Sequence, residues 1–342
     1  MKKNCICISM FFLLVFASFN FLKEADITDA KRPFNGPYTG EYLNRIAFPI
    51  GGIGAGMVCL EGTGALSHVS VFNKPDIFNE PNRFAAVSVK GLDHGVKVLE
   101  GPVPDFKIFV RPNTGTEAAN TSYGLPRFDH AEFESHFPFC KVKLKDADIP
   151  MDITITGWSP FIPLDADNSS LPCGALEYTF KNTGKTEIDA IYSYNCAHFN
   201  YMRILSKLGS VLSIRPHING FILSSCDKES DSERSGDFAI FTTDNATLVD
   251  HCWFRGRWFD PISITWKHIE EANPRISEPV EQDAPEASLY IPFKLMPGEV
   301  KTIKLLFAWY VPNTSLRIGE DVKSDQQQCG SEADCEFPFY RP

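Results

Sequence analysis

The feature that most constrains this chain is the two-residue rhythm of its apolar side chains from Ala47 onward. In the run 149–157, Ile149, Met151, Ile153 and Ile155 fall on one side of an extended chain, with polar residues between them. Between Ala175 and Asn182 the same beat passes through Leu176, Tyr178 and Phe180, and further runs occupy 239–243 and 300–311. A period of two places alternate side chains on one face of a half-buried strand, whereas a helix needs a period near 3.6. Val211–Ile214 and Phe221–Ser224 flank Asn219-Gly220, a strong hairpin signal. Asn182-Thr-Gly, Pro112-Asn113, the polar stretch 227–236 and Pro297-Gly298 supply the other turns. No stretch keeps a helical stripe over three turns; the best candidate, 200–208, is short. Many short strands with Gly and Pro turns predict an all-β fold, a large two-sheet antiparallel β-sandwich.

Composition narrows the function classes. The chain has 342 residues, 43% of them hydrophobic, enough for a sizeable core. Its formal net charge of −10 argues against nucleic acid and against an anionic membrane surface, both of which call for clustered Lys and Arg. A neutral partner such as a carbohydrate is compatible with that charge.

The ends differ from the middle. Lys2 and Lys3 precede an apolar run, Ile6–Phe16, interrupted by Ser9; Val15-Phe16-Ala17 stands before Ser18. This pattern reads as a signal peptide over residues 1–17, which makes the protein exported (periplasmic or extracellular); an uncleaved anchor reaching Leu22 is the alternative. No later run approaches spanning length. Residues 18–44 read as an extended arm or linker, residues 45–322 as the sandwich, and residues 323–342 as a linker toward a further module. Eight cysteines follow the signal without a C-x-x-C pair, so no zinc site is expected; several lie in strand runs, where a free buried thiol is the usual state. Cys329 and Cys335 form the best disulfide candidate.

Several motifs invite a chemical reading. The segment Gly51-Gly52-Ile53-Gly54-Ala55-Gly56 resembles a phosphate loop, but its third fingerprint position is Met57, and no Lys-Ser or Lys-Thr follows. Close backbone packing explains these glycines better, and no nucleotide or other cofactor is expected. The segment from Trp253 to Asp260 gathers Trp253, Arg255, Arg257, Trp258 and Asp260. Trp faces stack on sugar rings and Arg bonds hydroxyls or carboxylates, so these residues are candidates for substrate shaping or interdomain contact; an inter-sheet plug is the competing reading. Asp165-Ala166-Asp167-Asn168 begins like a calcium loop but lacks the glycine and the closing Glu, and a turn is expected. Glycoside hydrolysis needs two carboxyl groups about 5 to 9 Å apart. Asp105, Asp129, Glu132, Glu134 and Glu177 are scattered, and a solvated surface position is expected for each. The histidines show no i, i+4 metal pair, and no G-x-S-x-G elbow is present. Glycosylation sequons stand at Asn120, Asn168, Asn245 and Asn313.

Several of these stretches, taken in order, resemble one family. The run 46–56 is similar to the opening strand of the N-terminal domain of glycoside hydrolase family 116, which holds β-glucosidases and non-lysosomal glucosylceramidases. The run 158–172, Trp-Ser-Pro-Phe-Ile-Pro-Leu-Asp-Ala-Asp-Asn-Ser-Ser-Leu-Pro, resembles its most specific signature, and 175–182, 253–260 and 307–310 follow in the expected order. The resemblance implies a β-sandwich packed on a catalytic (α/α)6 barrel that carries a Glu nucleophile and an Asp acid/base. No residue here matches those catalytic motifs, so no catalytic residue is assigned. The expectation is a sandwich that shapes a barrel supplied in cis or in trans. A secreted, non-catalytic carbohydrate-binding module built on Trp253 and Trp258 is the alternative, and an unrecognised carboxylate pair in the sandwich is a weaker third.

Overall fold

A computed structural model describes residues 34, 36–77, 79–108, 121–199, 211–226, 233, 235–256, 260–280, 284 and 286–314. The signal at 1–17, most of the arm, the linker at 323–342, Cys329, Cys335, the helix candidate at 200–208, Asn120, Arg257 and Trp258 lie outside the described residues.

Among the described residues sixteen strands form: β1 (Ala47–Ile50), β2 (Met57–Glu61), β3 (Leu66–Ser70), β4 (Arg83–Val89), β5 (Val96–Val98), β6 (His130–His136), β7 (Phe139–Lys145), β8 (Met151–Trp158), β9 (Cys173–Asn182), β10 (Ile188–Ala197), β11 (Val211–His217), β12 (Gly220–Cys226), β13 (Gly236–Thr242), β14 (Leu248–Asp250), β15 (Glu286–Leu295) and β16 (Val300–Tyr310). All named pairings are antiparallel. The eight-stranded sheet runs β11-β12-β13-β16-β9-β8-β7-β6, and the five-stranded sheet runs β14-β15-β10-β4-β5. The expected two layers are therefore present, joined by a smaller third sheet, β1-β2-β3, that the strand rhythm did not separate.

The rhythm does its predicted work in the large sheet. Ile153 and Ile155 of β8, Leu176, Tyr178 and Phe180 of β9, and Ile303, Leu305 and Phe307 of β16 are all buried in the main core. They face Val87 of β4, Tyr192 and Tyr194 of β10, and Leu289, Ile291 and Phe293 of β15 from the other sheet. At about 25 cal/mol per Å² of apolar surface, this interleaved cluster is the dominant stabilising element. Tyr178 and Tyr192 meet with ring centroids 5.0 Å apart, bridging the two layers. From the third sheet, Ile50 wedges against Gly157 and Gly174, where a Cβ on Gly157 would stand 2.8 Å from its terminal methyl. The small residues in those strands thus make room for the third sheet.

The hairpin forms in the predicted place, with a shifted turn. His217 pairs with Gly220, so Ile218 and Asn219 make the bend, and Asn219 takes the left-handed φ of 55°. Gly220 is inside the strand, where a Cβ would strike the Ile240 carbonyl of β13. Its smallness serves close packing there.

One helix longer than two turns, α1 (Pro261–Glu270), lies among the described residues. It was missed because its periodicity is short, although its start is written plainly. Asp260 caps it by accepting from the Ile262 and Ser263 amides at 3.4 and 3.1 Å, and Pro261 occupies the first turn. The end of the arm is also packed: Tyr38 bridges to Phe133, and Gly40–Arg45 forms a 3-10 helix that buries Leu43. Cys59, Cys140, Cys196 and Cys252 are free and buried, and Cys173 is half-buried. Burial pushes the Cys59 thiol up to about 11, with Glu61 adding to it, and the Cys140 and Cys196 thiols up to about 12. None of these three is a poised nucleophile.

Candidate functional site

Three of the sequence stretches singled out above meet at one end of the sandwich. The glycine loop after β1 is clamped by the loop that follows β8. The Gly51 amide donates to Ser159 Oγ at 3.2 Å, and Ser159 Oγ donates to the Pro49 carbonyl at 3.0 Å. The Ile53 amide donates to the Ser169 carbonyl at 2.8 Å, and Trp309 Nε1 of β16 donates to the Ala55 carbonyl at 2.7 Å. A Cβ at Gly52 would collide with the Leu171 carbonyl, and Gly56 adopts φ 91° with the Ser70 carbonyl against it. Gly51 and Gly54 complete the loop. These amides and carbonyls are spent within the protein, and the glycines serve close packing.

The clamping loop, residues 159–172, is itself held by local hydrogen bonds. Asp165 accepts from the Asn168 backbone amide at 3.0 Å and from Asn168 Nδ2 at 2.6 Å, which closes a single turn, Ala166–Ser169. Ser169 Oγ donates to the Ile162 carbonyl at 3.1 Å and accepts from the Ile162 amide at 2.9 Å. This acid-rich motif therefore builds a turn. The turn holds Phe161, Ile162, Leu164 and Leu171 out toward solvent, with Leu164 at a left-handed φ of 68°. Phe137 and Phe139, before and at the start of β7, are also exposed, and the Phe137 and Phe161 rings meet edge-on at 4.9 Å.

The outward face of the large sheet continues this surface in rows across the strands. Phe139 is directly opposite Trp158, Trp158 opposite Ala175, Ala175 opposite Leu306, and Leu306 opposite Phe241. One step along the strands a polar row runs parallel: Lys141, Thr156, Glu177 and Lys304. Glu177 and Lys304 pair at 3.5 Å. A cavity of about 470 Å³ opens between Phe139, Trp158, Phe161, Ile162 and Leu171, with Thr156, Asn168 and Glu177 on its lining. Its volume falls in the range of small-ligand sites.

The Trp253–Asp260 stretch is elsewhere and does something different. Trp253 is 2% exposed, so it has no free ring face for a sugar. It belongs to a second hydrophobic cluster on the outer face of the five-stranded sheet, with Phe84, Ile191 and Tyr290 below and Ile262, Trp266 and Ile269 of α1 above. Its Nε1 donates to Ser288 Oγ at 2.7 Å; Ser288 donates to Asn195 Oδ1 at 2.7 Å, and Asn195 donates to Ser193 Oγ at 3.0 Å. The expectation of a sugar platform at Trp253 is corrected: the ring is large and apolar, and the fold uses it as a cover. Arg255 is exposed, and Asp260 is the helix cap.

The carboxyl groups with raised proton affinity were not picked out from the sequence, because only tertiary burial marks them. Glu286 of β15 is pushed up to about 7 by burial, with Asp260 nearby adding to it. Burial also raises Glu100, against the opposing charge of Arg127 at 3.2 Å, and Asp250, against hydrogen bonds from Ser277 and the Cys252 amide. All three are buried inside the protein. Glu61, His68 and Glu80 form a group of metal-ligand type, but Lys107 Nζ is 2.6 Å from Glu61 and 3.1 Å from Glu80. The ammonium stands where a cation would. Of the five carboxylates named from sequence, Asp105 and Asp129 are exposed, Glu132 and Glu134 bind Lys143 at 2.7 and 3.2 Å, and Glu177 lines the cavity. No helix among the described residues is long and apolar enough to cross a membrane.

Solved structures align with this chain at low sequence identity. A putative kojibiose phosphorylase from the human microbiome aligns over 81% of this chain and 26% of its own, at 8% identity and a TM-score of 0.36. A putative aldose 1-epimerase from Escherichia coli K12 aligns over 78% of this chain and 99% of its own, at 9% identity and a TM-score of 0.39. The chain thus spans about a quarter of the phosphorylase. No curated protein sequence matches. The family described as beta-glucosidase 2, glycosyl-hydrolase family 116 N-term, matches residues 47–330, from β1 to beyond β16, and the chain belongs to that family.

Proposed function

We propose that this sandwich is the non-catalytic half of a β-glucosidase- or glucosylceramidase-type hydrolase. In this reading it packs against a catalytic (α/α)6 barrel, in cis or in trans, and shapes the approach to that barrel's active site. The observation that carries the reading is the family match over residues 47–330. The placement of the acids supports it: the carboxyl groups with raised proton affinity, Glu100, Asp250 and Glu286, are buried in the fold. A retaining mechanism needs two carboxyl groups facing each other across the substrate. Export through residues 1–17 belongs to the same reading, and a mature N-terminus at Ser18 is its expected signature.

The purified 342-residue chain, assayed with aryl β-glucosides, is expected to release no aglycone. Mixed with a catalytic barrel of the family, it is expected to co-elute with it and raise its thermal midpoint. Robust turnover by the chain alone overturns the reading.

A further inference from the structure

We propose that the outer face of the eight-stranded sheet is a carbohydrate-binding surface, centred on Trp158 and taking the pyranose rings of a neutral oligosaccharide. The inference does not rest on the chain working beside a catalytic barrel. It comes from the order in which side chains are laid out on that face.

A pyranose ring is amphipathic: its axial C–H groups form an apolar face and its hydroxyls point outward around the rim. A matching surface offers an aromatic plane beside a line of hydrogen-bonding groups. The cross-strand register builds that arrangement. Phe139 and Trp158 are direct neighbours across β7 and β8, and Thr156 and Glu177 are direct neighbours across β8 and β9. Residues two apart along a strand share a face and are about 6.6 Å apart, so the hydroxyl and carboxylate stand one step from the aromatic pair. Beyond Trp158 the apolar row drops to Ala175 before rising again at Leu306 and Phe241. Ala175 is itself buried, so the opening lies on the Phe139–Trp158 side of the face, against the loop 159–172.

The loop 159–172 walls this opening. Phe161, Ile162 and Leu171 close one side of the 470 Å³ cavity, and Asn168 adds an amide to its lining. The wall is held in place by the Asp165 cap and the Ser169 hydrogen bonds, so the site is formed before a ligand arrives. Charge favours a neutral ligand: Glu177 is already matched by Lys304, and the whole chain carries −10. The five exposed or half-buried apolar side chains around one concavity exceed the isolated exposed residues usual on a protein surface.

The test is titration of the full chain with cellotetraose, maltotetraose and glucose, read by calorimetry and by tryptophan fluorescence. At least one tetrasaccharide is expected to bind in the micromolar to millimolar range, with glucose weaker. Trp158→Ala should weaken it by about tenfold or more, Trp158→Phe should restore part of the loss, and Glu177→Gln should weaken it by a smaller factor. The thermal midpoint of each variant separates lost binding from lost folding. No binding by any of the three sugars at millimolar concentration overturns the proposal, as does binding that Trp158→Ala leaves unchanged. If Trp158→Ala instead abolishes co-elution with a catalytic barrel while no sugar binds, the face is a domain interface and the proposal falls. The hydrolase reading stands in that case.

Discussion

The two outer faces of the sandwich make an instructive contrast. On the five-stranded side, the chain covers its own sheet: α1 and Trp253 lie over Phe84, Ile191 and Tyr290, and a buried polar chain runs from Trp253 to Ser193. On the eight-stranded side, Phe139 is exposed, Trp158, Leu306 and Phe241 are half-buried, and the loop 159–172 leaves a cavity open beside Trp158. Both faces carry tryptophan, yet Trp253 is buried beneath α1 while Trp158 is half-buried and lines an open cavity. Tryptophan alone is therefore a poor guide to a binding site; what matters is whether another element of the same chain has already claimed its ring.

Mutations on the covered side should cost folding, and those on the open side should not. The largest effect is expected from Trp253→Ala. It removes the centre of the second cluster and leaves the buried Ser288–Asn195 chain short of a donor, for a loss of about 3–5 kcal/mol in urea unfolding. A loss below about 1 kcal/mol would mean the cover is loose and the contrast false.

Next in size is a pH effect under the same cover. Glu286 has an ordinary value of 4.5 and a folded value of about 7. Between these limits the unfolded chain gives up its proton while the folded one keeps it, so the contribution is fully present below pH 4.5. It is lost as pH rises through about 7. The loss is about 3 kcal/mol at alkaline pH, discounted by whatever water reaches the group. Glu286→Gln should flatten the stability profile across that window and raise the midpoint at pH 8. An unchanged slope would show that Glu286 is solvated. Asp260→Ala, which removes the α1 cap, should cost about 1 kcal/mol; a neutral result would mean α1 is held by packing alone. The smallest change is expected at Trp158→Ala on the open side. Its unfolding free energy should stay within about 1 kcal/mol of the parent even as the face loses its ligand.

Parts of this layout are legible from residue order and others are not. The strands β8, β9 and β16 could be read directly, because β8 and much of β9 and β16 place a core-facing apolar residue at every second position. By contrast β4 and β10 are buried on both faces, so their alternation is masked; α1 covers one side of the sheet they share. The start of α1 could have been read from Asp260-Pro261, a capping residue followed by the proline that opens a helix. The candidate site was half visible. The run 158–172 stood out by its resemblance, but Phe139, Thr156 and Glu177 had no signal of their own, since their common face depends on a strand register between segments far apart in the chain.

Residue order by itself therefore determined the class of fold, the place of the hairpin between β11 and β12 and the family, since alternation and local turn chemistry act between near neighbours. Only the tertiary structure decided which tryptophan is covered, which carboxyl groups are driven toward neutrality and which side chains share an open face. Those outcomes depend on how strands distant in sequence align and on which apolar surface another segment covers. Burial of that kind is a property of the assembled layers, and no short stretch of residues carries it.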